Sequence, residues 1–146
     1  MSTPLVEIIR SGIESLLTNE GMTILTLFQK WGTVTAKESY PCAKVFIDTE
    51  VPVKRYMDQG RLNSVSMTIE ICPWASKENN NAQIATSELS ESMWNLINQG
   101  SVRSFMASDS DKLQDVTINE ISRIDTSQEN PALVLIVKIS CQYKLN

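Results

Sequence analysis

The chain has 146 residues, of which 42% are apolar and 21% charged, and its 13 basic and 17 acidic residues give a formal net charge of −4. This length and composition predict a single soluble domain over residues 1–146. An acidic protein gains little counterion release at nucleic-acid phosphates, so tight DNA or RNA binding is disfavoured. The longest apolar run, residues 132–137, is too short to span a bilayer, and the N-terminus lacks a signal-peptide pattern. We therefore expect no membrane partner and a cytoplasm-like compartment.

An amphipathic helix is the first predicted element. It begins near Thr3, where Pro4 fits the first helical position and Ser2 or Thr3 can cap the free N–H groups. Gly21 is expected to end it in the left-handed conformation that glycine adopts at low cost. Its core-facing stripe has three- and four-residue spacing. The stripe comprises Leu5, Ile8, Ile9, Ile13, Leu16 and Leu17.

Five segments have the composition of strands, and two of them alternate strictly between apolar and polar residues. Side chains alternate across a strand, so this pattern predicts a sheet with one buried and one solvated face. The alternating strands are 61–72, with Val65, Met67, Ile69 and Ile71 on one face, and 133–145, with Leu133, Leu135, Val137, Ile139, Cys141, Tyr143 and Leu145 on one face. The other three predicted strands are 22–34, 42–48 and 113–124.

A second amphipathic helix is predicted to begin at Asn80 or Asn81 and to end at Gly100, followed by a polar connection over 101–112. Trp94 adjoins its apolar face, so we expect that ring to pack in the core or at its edge. The apolar face comprises Ile84, Ala85, Leu89, Met93, Leu96 and Ile97. The order α-β-β-β-α-β-β predicts an α+β fold, a mostly antiparallel sheet with two helices packed on one face.

No catalytic, cofactor or metal site is predicted. The chain has no histidine, which removes the usual general base and the histidine-activated nucleophiles, and its five glycines are too scattered to cradle a phosphate. Cys42, Cys72 and Cys141 lack the spacing of a metal site and are expected to be small buried hydrophobes. Cys72 falls on the polar face of its strand, so it is the cysteine for which burial is least expected. We do not expect an enzyme.

The segment 49–60 is interpreted as a long loop and is the strongest candidate for a binding site. Loops of about 12 residues are often either functional or locally packed, so this one could cover the sheet edge or form a contact arm. We favour the arm, because Tyr, Met and Arg are enriched in interface cores. The residues concerned are Val51, Val53, Lys54, Arg55, Tyr56 and Met57.

Trp31 and Trp74 are the other candidate interface residues. Trp74 follows the Pro73 that ends a predicted strand, and Trp31 precedes Gly32. Tryptophan is enriched both in protein cores and in subunit interfaces, so both positions stay open for these two rings.

A series of features in a fixed order spans nearly the whole chain. They are the first helix with Val6, Ile9 and Leu16/Leu17, the strand start Tyr40-Pro41-Cys42-Ala43-Lys44-Val45-Phe46-Ile47, the arm at 49–60, the strand Ser64-Val-Ser-Met-Thr-Ile-Glu-Ile-Cys-Pro-Trp74, the helix segment Ser92-Met-Trp-Asn-Leu-Ile97 and two closing strands. In this order and spacing the chain resembles the tail terminator (tail completion) proteins of long-tailed bacteriophages, and more broadly the small neck proteins that join head to tail.

The resemblance implies a structural virion protein, made in the host cytoplasm and located in the tail neck. Such proteins form a six-fold ring on the tail tube, stop its polymerisation and dock the head connector. The implied partners are further copies of the chain, the tail tube protein and the connector or stopper, while DNA passes through the lumen without being bound. Under this reading Val53, Arg55, Tyr56 and Met57 contact a neighbouring subunit or the tube.

Two alternatives stay open. One is another neck or tail component, a stopper or a tube subunit; a tube subunit would stack into long polymers instead of capping them. The other is a small cytoplasmic α+β domain with a ligand pocket between helices and sheet. Such a domain would be a monomer or dimer whose melting temperature rises with its ligand.

Overall fold

A five-stranded sheet with three α-helices on one face makes up the part of the chain that the computed structural model describes, residues 3–27, 41–55, 60–73, 80–125 and 133–145. The fold is α+β, as the sequence predicts. The helices are α1 (Leu5–Asn19), α2 (Asn80–Leu96) and α3 (Gln99–Phe105), with a short 3-10 turn at Ser110–Lys112. The strands are β1 (Thr23–Ile24), β2 (Cys42–Arg55), β3 (Arg61–Cys72), β4 (Leu113–Asp125) and β5 (Leu133–Leu145).

The strand order in the sheet is β1-β2-β3-β5-β4, and every neighbouring pair except β1 with β2 is antiparallel. β3 and β5, the two strands with strict alternation, form the central pair. They are in continuous register from Arg61–Leu145 to Ile71–Leu135. Residues paired across antiparallel strands lie on the same face of the sheet. The apolar faces of the two strands therefore coincide and form the floor of the core.

One buried stripe and a glycine stop define α1, whose buried residues are Val6, Ile8, Ile9, Gly12, Ile13, Leu16 and Leu17. Gly21 has φ +90°, and the N–H groups of Gly21 and Met22 donate to the carbonyls of Thr18 (3.0 Å) and Leu17 (3.1 Å). This pair of bonds is a Schellman motif, so the predicted left-handed stop is confirmed. The predicted hydroxyl cap is wrong. Pro4 itself occupies the N-cap position and makes no side-chain capping bond, because α1 begins one residue later than expected.

The polar connection predicted over 101–112 contains a helix, and the predicted helix end at Gly100 is wrong. α2 ends at Leu96, and the side chain of Asn98 accepts a hydrogen bond from the N–H of Ser101 at 2.9 Å. This is an N-cap, which starts a new helix where the sequence pattern had continued the old one. The physical reason for the difference is therefore a local one, the capping amide of Asn98.

Contacts on both of its sides hold α3 in place. Gly12 lets α1 approach it closely, since a Cβ atom there would lie 3.0 Å from Cγ of Met106. On the other side, the carbonyl of Leu113 accepts hydrogen bonds from Arg103 Nε (2.9 Å) and Gln99 Nε2 (3.0 Å). These bonds attach α3 to the first residue of β4.

The strand predictions differ in outcome. β3 and β5 have the predicted bounds, and β4 runs one residue beyond its prediction. The strand predicted over 22–34 is wrong in extent: only Thr23–Ile24 is a strand, residues 25–27 are not, and 28–34 lie outside the described residues. A β-forming composition becomes a strand only where a partner is within reach, and β1 pairs with β2 at Cys42 and Ala43 alone.

The main core lies between the helices and the sheet. Fully buried residues of α1 such as Ile9 and Ile13 join Met67 and Ile69 of β3 in one cluster, to which α2 and α3 contribute Met93 and Val102. A second, small cluster of Cys72, Val134 and Ile136 lies on the opposite face of the sheet. All three cysteines are buried, as predicted. Cys72 is buried although alternation places it on the polar face, because this cluster forms there.

The exposure of α2 corrects part of its predicted apolar face. Met93 and Ile97 are buried, as expected, but Trp94 is 53% exposed and Ile84 is 56% exposed. The core or core-edge position predicted for Trp94 is therefore wrong. The buried side chains of this segment are Thr86, Met93 and, just after the end of the helix, Ile97. Only a narrow stripe of α2 meets the sheet, so apolar residues beside that stripe remain in solvent.

Adjacent residues of α2 should differ sharply in their contribution to stability. Met93→Ala is expected to lower the free energy of unfolding by about 2–5 kcal/mol, because it leaves a cavity in a closed core. Trp94→Ala should lower it by less than about 1 kcal/mol, since that ring is mostly in solvent. Urea denaturation of the two variants measures both values. Equal losses would contradict the described orientation of α2.

Candidate subunit interface

The loop predicted over 49–60 is largely a β-hairpin. β2 continues to Arg55 and pairs with β3 as far as Arg55–Arg61, so the loop prediction is wrong for residues 49–55. We keep the name arm for the distal end of this hairpin, extended by the paired Arg61 to residues 49–61. The residues at its tip, 56–59, lie outside the described part of the chain.

Pro52 is the residue that made this strand look like a loop, because proline cannot donate to a sheet ladder. Register shifts show that β-bulges fall at Asp48 and Val53, on either side of it. A bulge leaves one residue unpaired and bends the strand, which accommodates proline near a sheet edge. The signal for a strand was present in the β-branched Val51 and Val53, and the proline between them masked it.

Apolar and basic side chains of the arm are exposed to solvent. Val51 is 52% exposed and Val53 49% exposed, and Lys54 and Arg61 are also exposed. Pro52, Val53, Lys54 and Arg61 line a shallow concavity on the arm. Exposed valines beside cations form a surface that another protein could cover with gain of apolar contact.

The predicted interface residues are only partly within the described chain. Val51, Val53 and Lys54 are brought together on the arm, and Arg55 is the last residue of β2, with only its backbone described. The roles predicted for the remaining four stay predictions, because these residues lie outside the described ranges. They are Trp31, Tyr56, Met57 and Trp74.

A pocket that the sequence did not reveal lies at the base of the arm, on the helix face of the sheet. Its volume is about 590 Å³. Residues from the first turn of α1 and from β2, β3 and β5 line it: Pro4, Leu5, Val6, Glu7, Ile47, Glu50, Asn63, Tyr143 and Leu145. One sequence signal points to it. Asn63 is a polar residue at a position of β3 that alternates in step with Val65, Met67 and Ile69.

A short chain of hydrogen bonds orders the polar side of this pocket. The hydroxyl of Tyr143 donates to Oε1 of Glu50 at 3.0 Å, and Asn63 makes a side-chain hydrogen bond to Tyr143. Burial raises the pKa of the Tyr143 phenol, the bond with Asn63 lowers it, and Glu50 raises it further. Oδ1 of Asn63 is buried and has no hydrogen-bond partner among the residues that the structure describes. The pocket therefore contains an acceptor that lacks a donor.

Apolar side chains are exposed on a second surface, away from the arm. Ile84 and Trp94 of α2 are each about half exposed. Ile124 of β4 is also about half exposed, but it pairs with Val134 and therefore lies on the face of the sheet opposite α2. Arg123 of β4 donates to Oγ of Ser87 on α2 at 3.2 Å, which joins the two elements. β2 and β4 lie on opposite sides of the central strand pair, so the two exposed apolar surfaces are separated by the width of the sheet.

Burial raises the pKa of two of the three cysteine thiols. Burial is the main cause that raises the pKa of Cys141 to about 12, with the charge of Asp115 adding to it, and burial also raises the pKa of Cys42. The described Cys, Asp and Glu residues include no group of three placed to hold a metal ion. In the described ranges, no helix is long and apolar enough to cross a membrane.

Comparison with known proteins adds no family assignment. The sequence matches no protein-family model, and no curated protein matches it.

The raised pKa of Cys141 predicts a loss of stability at alkaline pH. The unfolded thiol releases its proton near the ordinary value of 9.0 and the folded thiol only near 12. Between these values the unfolded state binds fewer protons, so the free energy of unfolding falls as pH rises, by up to about 1.4 kcal/mol per pH unit. Urea denaturation between pH 8 and 10.5, with a reductant present, measures this slope. Cys141→Ala should reduce this slope, with the buried Cys42 and Tyr143, whose pKa values are also raised, supplying the remainder, whereas Ser140→Ala should leave it unchanged.

Proposed function

We propose that the chain is a structural subunit of a phage tail neck, which assembles as a ring on the tail tube, stops tube polymerisation and docks the head connector. The resemblance in element order supports this assignment, and the observation that carries it is the arm. A sheet whose hairpin extends into solvent with two half-exposed valines has a surface suited to burial against another subunit.

Ring formation needs a heterologous contact, in which one surface of each subunit meets a different surface of the next. The arm supplies a surface of this kind, because it belongs to one end of one hairpin and has no equivalent elsewhere among the described elements. The separate apolar surface at Ile84 and Trp94 of α2 leaves room for a further partner such as the tube or the connector. Contacts with several partners require such separate surfaces.

The charge of the chain is compatible with this role. With a formal net charge of −4, the subunits of a ring would present a potential that does not attract DNA phosphates. DNA would then pass through the lumen without adhering. We propose no specific DNA contact and no membrane contact.

The second candidate function is a small α+β ligand-binding domain, and the pocket of about 590 Å³ between α1 and the sheet favours it. Pockets of this size are typical of small-molecule sites. A binding domain would be a monomer or dimer that a cognate ligand stabilises, whereas a neck protein would assemble with tail tubes. Oligomeric state therefore discriminates between the two candidates.

Removing the apolar character of the arm should weaken self-assembly. The double variant Val51→Ser/Val53→Ser is expected to lower the association constant at least tenfold, since each valine contributes apolar area worth about 25 cal/mol per Å² when it is buried. Light scattering over a concentration series, with and without tail tubes and with negative-stain images of each species, measures the change. The matched control is Ile124→Ser, which removes a similarly exposed apolar side chain of β4, away from both the arm and the exposed residues of α2.

The wild-type chain should form closed rings, alone or on added tubes, and the control variant should do the same. Long polymers of the chain by itself would instead indicate a tube subunit. A monodisperse monomer or dimer that does not bind tail tubes would contradict the neck assignment and favour the ligand-binding domain.

A further inference from the structure

The pocket at the base of the arm combines an apolar wall with groups that accept hydrogen bonds. Its apolar side includes Leu5, Ile47 and Leu145. Its polar side includes the carboxylate of Glu50 and the amide of Asn63. A ligand that fits this lining has an apolar stem and a head that donates hydrogen bonds.

The hydrogen bonding of Asn63 and Glu50 favours a positively charged hydrogen-bond donor as the ligand of this pocket. Within the described ranges, Oδ1 of Asn63 is buried without a partner, so the complementary atom is an N–H or O–H. Glu50 accepts a hydrogen bond from Tyr143 and keeps further acceptor capacity as a carboxylate. Glu7 is already paired with Arg10 at 2.7 Å and contributes less. A positive head group would satisfy both Asn63 and Glu50 with charge-assisted hydrogen bonds.

We propose that this pocket receives a lysine or arginine side chain from the arm of a second copy of the chain. The proposal rests on the ring assembly proposed above and names its contact. The described charged residues of the arm beyond Glu50 are Lys54 and Arg61, both basic and both exposed. Each has an aliphatic stem that can lie along the apolar wall while its charged head reaches the oxygens.

The source is a second copy because the described residues of the same chain's arm leave the pocket open. Arg61 pairs with Leu145 across the sheet, so it lies on the pocket side of β3. Its side chain is nevertheless exposed, and among the described residues it forms no ion pair with Glu50. Lys54 and Arg61 are not among the residues that line the pocket. A contact that places either of them in the pocket of the next copy therefore joins two different sets of residues, and it can repeat from subunit to subunit and close into a ring.

A charge-swap mixing experiment tests this contact. One variant carries Glu50→Lys in the pocket, and the other carries Lys54→Glu and Arg61→Glu on the arm. Each variant alone should associate at least tenfold more weakly than the wild type, because each brings like charges together. Mixed in equal amounts, the two should form rings of 1:1 composition, because both types of contact are then complementary. Native mass spectrometry and negative-stain images measure composition and closure.

The matched control is Glu120→Lys, which reverses an exposed carboxylate on β4, away from the pocket. This variant should assemble like the wild type. Glu50→Gln, which can still accept the hydrogen bond from Tyr143, provides a milder pocket variant with an intermediate loss of association. Its melting temperature, compared with that of the wild type, separates loss of contact from loss of fold.

The outcomes distinguish the two proposals. Wild-type rings that persist unchanged in Glu50→Lys overturn the pocket contact and leave the ring proposal standing. A mixture that fails to assemble although both variants are folded also overturns the contact. A wild-type chain that stays monomeric with and without tail tubes overturns the ring proposal, and the pocket contact fails with it.

Discussion

The register between β3 and β5 is the constraint on which the rest of the structure depends. The pairs Val65–Cys141, Met67–Ile139 and Ile69–Val137 place two apolar rows side by side at the centre of the sheet. Because the side-chain period of a strand is two, a slip of one residue would turn one whole row to the other face. The helices can bury their stripes only against these rows, so a single register determines the position of all three.

The same register also determines the position of the polar residues at the end of the apolar rows. Asn63 pairs with Tyr143 beyond the end of the apolar rows, and Glu50 pairs with Val65 on the neighbouring strand. Three polar side chains therefore meet where α1 begins and its apolar cover ends. The pocket is a consequence of how the core ends, and its unsatisfied oxygen follows from a polar residue held at a core-facing position.

The arm is held in place by strand pairing with β3 on one side of β2. β2 extends past the point where β1 accompanies it, and its two bulges absorb Pro52 and the extra residues around it. Its other side is held by β3, which β5 supports along its whole length. A hairpin anchored in this way can project exposed valines without losing its backbone pairing. A rigid hairpin of this kind would lose little conformational entropy if a partner covered it.

Local residue patterns determined the α+β class, the glycine stop of α1 and the bounds of β3 and β5, because capping geometry and two-residue alternation act over a few neighbouring positions. They could not determine the length of β2, the exposure of Trp94 or the pocket around Asn63. Each of these depends on which distant element lies alongside: β3 for the arm, the narrow contact of α2 for Trp94, and the meeting of α1 with Glu50 and Tyr143 for the pocket. Burial and pairing across the chain are properties of the folded arrangement, so only the tertiary structure decided them.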